Sequence, residues 1–363
     1  MDFDLSEDQR ALQDAASRFL AEQCPTTRVR AAMASEAPYD RDLWLAMVDL
    51  GWPAVAVPEE RGGLGLGTVE LAVLLEQTGA HVTPTPFLQE ALVLDALVAA
   101  AARGVEDAGW LDPVLRGDTV AAVAWQPVEA RRDGARWLLS GRTGPALYAP
   151  TADVLVAPGR EADGTEHLFV VRIAPGSIAR EPAMDQTRPL GWVELEATAA
   201  LHLGGPEAAE SFRDLGALGH AAELLGAAAR VLDLTVAYAK ERVQFGRPIG
   251  SFQAVKHRCA DMLVDVEGMR SAVYHAAWCV GAGDRDRSIA ASTAKTWCSD
   301  AGRRVMASGL QVHGGIGFTW EHDLHLYLKR AQLDEVTFGD ATYHRARLAR
   351  LLRDRVERGE SVI

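Results

Sequence analysis

Glu241-Arg242-Val243-Gln244-Phe245-Gly246-Arg247-Pro248-Ile249-Gly250-Ser251-Phe252-Gln253 interrupts two long helical patterns. Before it, Leu218, Leu224, Leu225, Val231, Leu232 and Val236 recur at helical spacing over residues 215–240, and after it a second such stretch runs over 252–280. The segment itself is a basic, aromatic, glycine-containing turn. Arg242 is a forked donor suited to phosphate, the next helix begins close by with free amides, and Phe245 can stack on a flat ring. The same residues also suit a plain helix–helix turn with a surface arginine.

A second glycine turn, Gln311-Val312-His313-Gly314-Gly315-Ile316-Gly317-Phe318, follows a helical pattern over 290–308. Gly314 and Gly315 let a ligand approach the backbone, with amides free to face a phosphate, although a simple turn needs the same glycines. Beyond it come Glu321, His322, Asp323 and His325, with the histidines at i,i+3. No H-E-x-x-H pattern is present, so no metal site is expected there. A last helix spans 342–358. Long helices joined by short glycine turns predict a four-helix bundle over 205–363.

Upstream the texture changes. Residues 120–125, 136–140, 153–157 and 167–172 are short β-like runs, punctuated at Asp133-Gly134, Pro158-Gly159 and Asp163-Gly164. They predict a small barrel or sandwich over 118–204. Residues 1–117 read as helical. Ser6 and Gln9 form a capping box, Pro25 ends that helix, a second spans 41–50, and a third starts at Thr68. The Gly62-Gly63-Leu64-Gly65 loop follows a helix rather than a strand, so it lacks the context of a dinucleotide fingerprint and reads as a turn. The fold class is α+β in three parts: an N-terminal helical domain (1–117), a middle β-barrel or sandwich (118–204) and a C-terminal helical bundle (205–363).

The formal net charge of −13 over 363 residues argues against nucleic acid and anionic membranes. Four cysteines without a C-x-x-C pair predict reduced thiols and a cytoplasmic setting. The start, Met-Asp-Phe-Asp-Leu, has no signal-peptide pattern. The most apolar run, 91–102, contains Asp95 and is too short to span a membrane. The nine tryptophans are expected to be core residues. No G-x-S-x-G elbow, phosphate-binding loop of the Walker type or Cys–His pair is found, which lowers hydrolase and kinase readings.

Taken together, Arg242-x-x-Phe245-Gly246 with Gln253, then Gln311-x-x-Gly314-Gly315-x-Gly317-Phe318, resemble the acyl-CoA dehydrogenase family. Glu59-Glu60-Arg61-Gly62-Gly63-Leu64-Gly65 and Phe252-Gln253-Ala254-Val255-Lys256-His257 add to the resemblance, which covers essentially the whole chain. It implies an FAD enzyme that introduces a double bond α,β to an acyl thioester: a carboxylate removes the α-proton while the flavin takes the β-hydride. It also implies that Arg242, Phe245, Gln253, Gln311, Gly314 and Gly315 hold the adenosine and pyrophosphate of FAD, usually that of a neighbouring subunit. Electron-transfer flavoprotein is the implied type of acceptor.

Two departures stand out. The family's base is usually a glutamate before a glycine, and here that position is Phe338, before Gly339. Other members carry it at the start of the helix leading to the Arg-x-x-Phe-Gly turn, which here is Ala217, followed by Leu218. Glu223, Glu335 and Asp340 are the nearby acids, and Glu223 is the first choice for a displaced base. A positioned base contributes about 10²–10⁴-fold. The flavin-ring stretches also depart, reading Trp125-Gln126-Pro127-Val128-Glu129-Ala130-Arg131 and Ala146-Leu147-Tyr148-Ala149-Pro150.

The resemblance therefore extends to the base-lacking partner in actinobacterial α2β2 enzymes, which act on bulky steroid or branched side-chain acyl-CoA thioesters. Two alternatives remain: an independently active homo-oligomer with a displaced base, and a non-redox binding or scaffold member.

Overall fold

The computed structural model describes residues 4–35, 39–106, 109–174 and 176–361. Helices α1 (Glu7–Gln23), α2 (Thr26–Ala34), α3 (Arg41–Asp49), α4 (Thr68–Ala80), α5 (Phe87–Ala102) and α6 (Leu111–Leu115) come first. Strands β1 (Ala121–Val123), β2 (Val128–Asp133), β3 (Arg136–Arg142), β4 (Ala146–Leu147), β5 (Val154–Arg160), β6 (Glu166–Arg172), β7 (Leu190–Gly191) and β8 (Glu194–Gly204) follow. Then come α7 (Pro206–Glu241), the two-residue strands β9 (Val243–Gln244) and β10 (Arg247–Pro248), α8 (Gln253–Gly281), α9 (Arg287–His313), α10 (Leu324–Val336) and α11 (Ala341–Glu357). Contacts group these elements into two compact units. One joins the residues up to Thr27 with Ala72–Thr83 and everything from Ala217 onward; the other joins Arg28–Leu71 with Pro84–Gly216.

In the helical unit, α1 starts as its sequence requires. Gln9 N donates to Ser6 Oγ at 3.2 Å, and Ser6 N donates to Gln9 Oε1 at 2.9 Å. Helix α7 is apolar and long enough to cross a membrane, but 89% of its most apolar window is buried in the protein. It is the core helix. Its backbone touches that of α4: a Cβ on Gly226 would lie 1.8 Å from the Glu76 carbonyl oxygen, and one on Gly79 would lie 1.9 Å from that of Glu223. Helix α9 packs against α8, α10 and α11. Beside the four long helices the structure has a further one, α10, which starts two residues after His322 and carries His325 in its first turn.

In the β unit, β2-β3-β8-β6-β5 are hydrogen-bonded in that order and β2 also pairs with β5, which closes a small barrel; β1, β4 and β7 continue from β5. The Asp133-Gly134 turn closes the β2–β3 hairpin, with Asp133 opposite Arg136 and Gly134 at φ +62°. Pro158-Gly159 corrects the sequence reading: it is no turn but lies inside β5, with Pro158 opposite Leu168 and Gly159 opposite His167. A Cβ on Gly159 would come within 2.7 Å of Phe169 and 2.9 Å of Ala130 and Leu139, so close packing rather than chain reversal explains this glycine. Strand β8 carries few β-branched residues, and its sequence gave no strand signal. Helix α5 is tied to β1 by Glu90, which is fully buried and accepts a 2.8 Å bond from Ala121 N. Burial holds its pKa well above the ordinary carboxylate value.

Candidate functional site

Two segments at one end of the helical unit form an exposed cradle. Helix α7 ends at Glu241, and β9 and β10 make a tight hairpin with Phe245 at its tip (φ +53°) and Gly246 beside it (φ +78°). Phe245 is 92% exposed and meets Phe252 edge-on at 6.1 Å, while the Arg247 guanidinium lies 4.2 Å over the Phe252 ring. Arg242 is exposed and has no ion pair among the described residues. Gln253 opens the 29-residue α8, whose N-terminus no side chain caps. Its first amides and dipole are therefore available to an anion.

The second segment reaches the same end because His313, the last residue of α9, stacks on Tyr238 of α7 at 4.6 Å and 20°. Gln311 is exposed in the last turn of α9. Gly314 sits at φ +63° and ψ −141°, a conformation open to glycine, and a Cβ on Gly314 or Gly315 would meet no atom within 4 Å. Open space thus lies directly over this backbone. Phe318 is 72% exposed next to it. A free guanidinium, an uncapped helix N-terminus, an open glycine backbone and exposed rings suit the pyrophosphate and adenosine of FAD.

The two expected base positions lie elsewhere in the same unit. Ala217 and Phe338 have no solvent exposure. One turn after Ala217, the His220 ring packs 5.6 Å from that of Phe338, so the start of α7 and the α10–α11 turn are neighbours. Neither position carries a carboxylate. His220 Nδ1 is 2.9 Å from Asp334 Oδ1, with both residues fully buried. Glu223 is buried as well, and Thr78 Oγ1 donates to its Oε1 at 3.3 Å. Of the other acids near Phe338, Glu335 pairs with Arg303 at 3.2 Å, and Asp340 caps α11 by accepting from Tyr343 N at 2.8 Å.

Phe338 itself has φ +59°, a strained value for a residue with a Cβ. Its neighbours hold it there. Phe338 O is 2.9 Å from His344 Nε2, and burial lowers the His344 pKa to about 3, so that ring is neutral and donates. Lys295 is fully buried, and its Nζ donates to the carbonyls of Asp334 (2.8 Å), Glu335 (2.7 Å) and Gly339 (2.9 Å). Sequence reading missed Lys295, because a single lysine among the small residues of α9 has no signature until the turn it ties down is visible.

Other expectations find their places. Gly63 leaves no room for a side chain, since its Cβ would be 2.0 Å from the Val57 carbonyl oxygen, and Gly62 and Gly65 have positive φ. The glycine loop folds tightly on itself. His322 and His325 do not converge: the His322 ring faces His313, and the His325 ring faces Trp320. In the β unit, Tyr148 is buried at φ +63° and its hydroxyl donates to Thr85 O at 2.7 Å. That bond gives a structural role to the stretch standing where flavin-ring contacts were looked for.

Comparison with known proteins decides the family. The model of the acyl-CoA dehydrogenase N-terminal domain matches residues 6–118, and that of the C-terminal domain matches residues 204–352. The chain belongs to the acyl-CoA dehydrogenase family. It is 35% identical to acyl-CoA dehydrogenase IpdE2 of Mycolicibacterium smegmatis, covering 90% of this chain and 93% of that protein. It is 31% identical to acyl-CoA dehydrogenase FadE27 of Mycobacterium tuberculosis over 97% and 99% of the two chains. Among solved structures, a chain of the ChsE4–ChsE5 complex of Mycobacterium tuberculosis superposes with a TM-score of 0.89 at 32% identity, over 97% of this chain and 99% of that one. As a member of that family the chain is an FAD-dependent oxidoreductase of acyl-CoA thioesters.

Proposed function

We propose that this chain is the non-catalytic, FAD-site-completing subunit of a heteromeric acyl-CoA dehydrogenase. In that complex a sister subunit supplies the base and the flavin-ring contacts, in an α2β2 assembly. The observation that carries the reading is a separation within one helix. Ala217 and the cradle lie at opposite ends of the exposed-to-buried run of α7: from Ala217 to Glu241 is about 36 Å at 1.5 Å per residue. An FAD held by this cradle cannot also present its ring at this chain's own base positions. Those positions hold Ala217 and Phe338, while the cradle keeps Arg242, Phe245, Gln253, Gln311, Gly314 and Gly315.

In the mechanism, Arg242 and the α8 N-terminus bind the pyrophosphate. Phe245 and Phe318 shield the adenosine side from water, and Gly314 and Gly315 let the cofactor approach the backbone. FAD held there would supply the acceptor for the hydride equivalent that leaves the β-carbon. The proton leaving the α-carbon has no acceptor at Ala217 or Phe338, so it goes to the sister subunit's carboxylate. The substrate is read as a steroid or branched side-chain acyl-CoA, with an acceptor of the electron-transfer-flavoprotein class and a cytoplasmic location. The boundaries 1–117, 118–204 and 205–363 are the proposed domains.

One observation favours a second reading. Glu223 places a buried carboxylate one turn beyond His220, whose ring touches Phe338. There the chain would be active as a homo-oligomer with Glu223 as its base. Purifying the chain alone and with co-expressed sister subunit, then recording visible spectra and native masses, separates the two. The first reading expects a colourless chain that gains flavin and dehydrogenase activity only in a mixed complex. An active yellow homo-oligomer, inactivated by Glu223→Gln, would establish the second.

A further inference from the structure

An open groove runs between α7 and α8 of the helical unit. Leu232, Val236 and Ala237 of α7 line one wall, and Cys259, Ala260 and Leu263 of α8 line the other. On the outer side of α8, Leu263 is 50% exposed and Val264 68%. One turn beyond Val264, Trp297 of α9 lies against Gly268, where a Cβ would come within 2.6 Å of the indole nitrogen; that tryptophan is itself part-exposed. An apolar band thus crosses α7, α8 and α9. Apolar side chains gathered in this way on a surface mark a place where another molecule docks.

The order of charges along α8 says which molecule fits. Lys256, Ala260, Leu263 and Glu267 are all exposed, and their steps of four, three and four residues place them on one stripe with the spacing of a seam between packed helices. The middle of the stripe is apolar and its ends carry opposite charges. The surrounding sequence has the same polarity, with Lys256 and Arg258 before the apolar pair and Asp265 and Glu267 after it. Lys256 has no ion pair among the described residues. Glu267 has an exposed 3.5 Å contact with Arg270 of its own helix, a kind of pair that contributes little. If a second α8 lies antiparallel with its Glu267 opposite Lys256, equal steps from each end set Ala260 opposite Leu263 and Cys259 opposite Val264. Small side chains then face large ones, and each contact occurs twice about a two-fold axis. A parallel arrangement would oppose lysine to lysine and glutamate to glutamate.

We propose that this face joins two copies of the chain, with the α8 helices antiparallel across a two-fold axis between Ala260 and Leu263. The apolar centre supplies the attraction, and the Lys256–Glu267 pairs fix direction and register. The contact uses no residue of the cradle and neither expected base position. It therefore holds whether the chain works beside a sister subunit or alone, and its failure is a separate result from failure of the FAD-site reading.

The test is analytical ultracentrifugation of the full-length chain, with circular dichroism and melting curves showing that each variant is folded. The parent should sediment as a dimer of 39.1 kDa chains at about 10 µM. Leu263→Lys, at a half-exposed position, should give a folded monomer. Lys256→Glu and Glu267→Lys each set two like-charge pairs across the contact and should each raise the dissociation constant by about tenfold or more. The double variant restores both pairs in reverse and should return to within about threefold of the parent. A mixture of the two single variants should form mixed dimers in preference to either homodimer, since only there are all the pairs opposite in charge. A parent that stays monomeric up to about 100 µM would overturn the proposal. So would a dimer indifferent to Leu263→Lys, single charge reversals without effect, or a double variant no better than the single ones. A monomeric parent whose Leu263→Lys variant fails to join a co-expressed sister subunit would overturn it too, and would assign the face to that subunit.

Discussion

Replacing Lys295 with methionine tests whether the turn around Phe338 is held as its geometry implies. The Lys295 ammonium is fully buried, and three carbonyls share it at 2.7–2.9 Å. Burial lowers its pKa from 10.5 to about 8, against the opposing pull of Asp334 first among the nearby acidic groups. That fall is worth about 3 kcal/mol at 1.36 kcal/mol per tenfold change in proton affinity. Between pH 8 and 10.5 the unfolded chain therefore binds more protons at this lysine than the folded one, and stability contributed by the group rises with pH. Methionine removes this dependence together with the three bonds. At pH 7 the two effects oppose each other: lost donors cost about 1–3 kcal/mol per stranded carbonyl, and the lost burial penalty offsets part of that. The sharper quantity is the change with pH. Urea unfolding of parent and Lys295→Met at pH 7 and pH 10 should show the stability gap growing by about 2–3 kcal/mol in favour of the parent. Other groups that titrate in this window cancel in the difference. A gap that stays constant or shrinks would refute the reasoning, since Lys295 would then not carry its proton at a cost.

Arg242→Ala removes the proposed phosphate donor, which has no ion pair among the described residues to compete for it; FAD affinity of the assembled complex should fall about 10–100-fold, read from flavin retained on dilution. Gly226→Ala sets a Cβ 1.8 Å from a backbone oxygen of α4, and helix separation should cost about 3 kcal/mol, lowering the melting temperature by about 6–12 °C. A variant melting with the parent would show that the α4–α7 approach is looser than described. Phe338→Glu should leave the isolated chain without dye-coupled acyl-CoA turnover, because the flavin-ring stretches depart from the family pattern as well. Turnover by that variant would mean that the missing carboxylate was the sole defect.

The sequence was most legible where local rules and tertiary structure agree. Ser6 and Gln9 form their capping box from backbone geometry alone. The break between α7 and α8 was readable because periodicity stops at Glu241 and resumes after Ser251. The two glycine turns were legible as breaks between long helices, while composition alone left a plain turn open at each and the FAD reading came from the family resemblance. Legibility failed where the cause lies in distant packing. Pro158-Gly159 has the composition of a turn, yet Phe169, Ala130 and Leu139 crowd Gly159 inside a strand. The His167–His202 contact joins residues 35 apart in sequence through strand register, which no spacing rule on one segment reports.

Phe338, at one of the two positions where a base was expected, sits in a turn that is held in an unusual shape. A residue with a Cβ at φ +59° costs about 1–3 kcal/mol and persists only where its surroundings over-determine it. Here they do: Lys295 fixes Gly339 O on one side, and His344 fixes Phe338 O on the other. The backbone thus holds a shape that phenylalanine does not need, and a turn free to relax would leave the left-handed region. The buried His220–Asp334 contact next to the ring argues the same way, since taking polar groups out of water costs free energy that apolar packing would avoid. Both features are expensive for a bundle core that only has to pack. They are explained if this end of α7 retains the frame of a proton-abstraction site, while the cradle about 36 Å away at the other end is the part still in use.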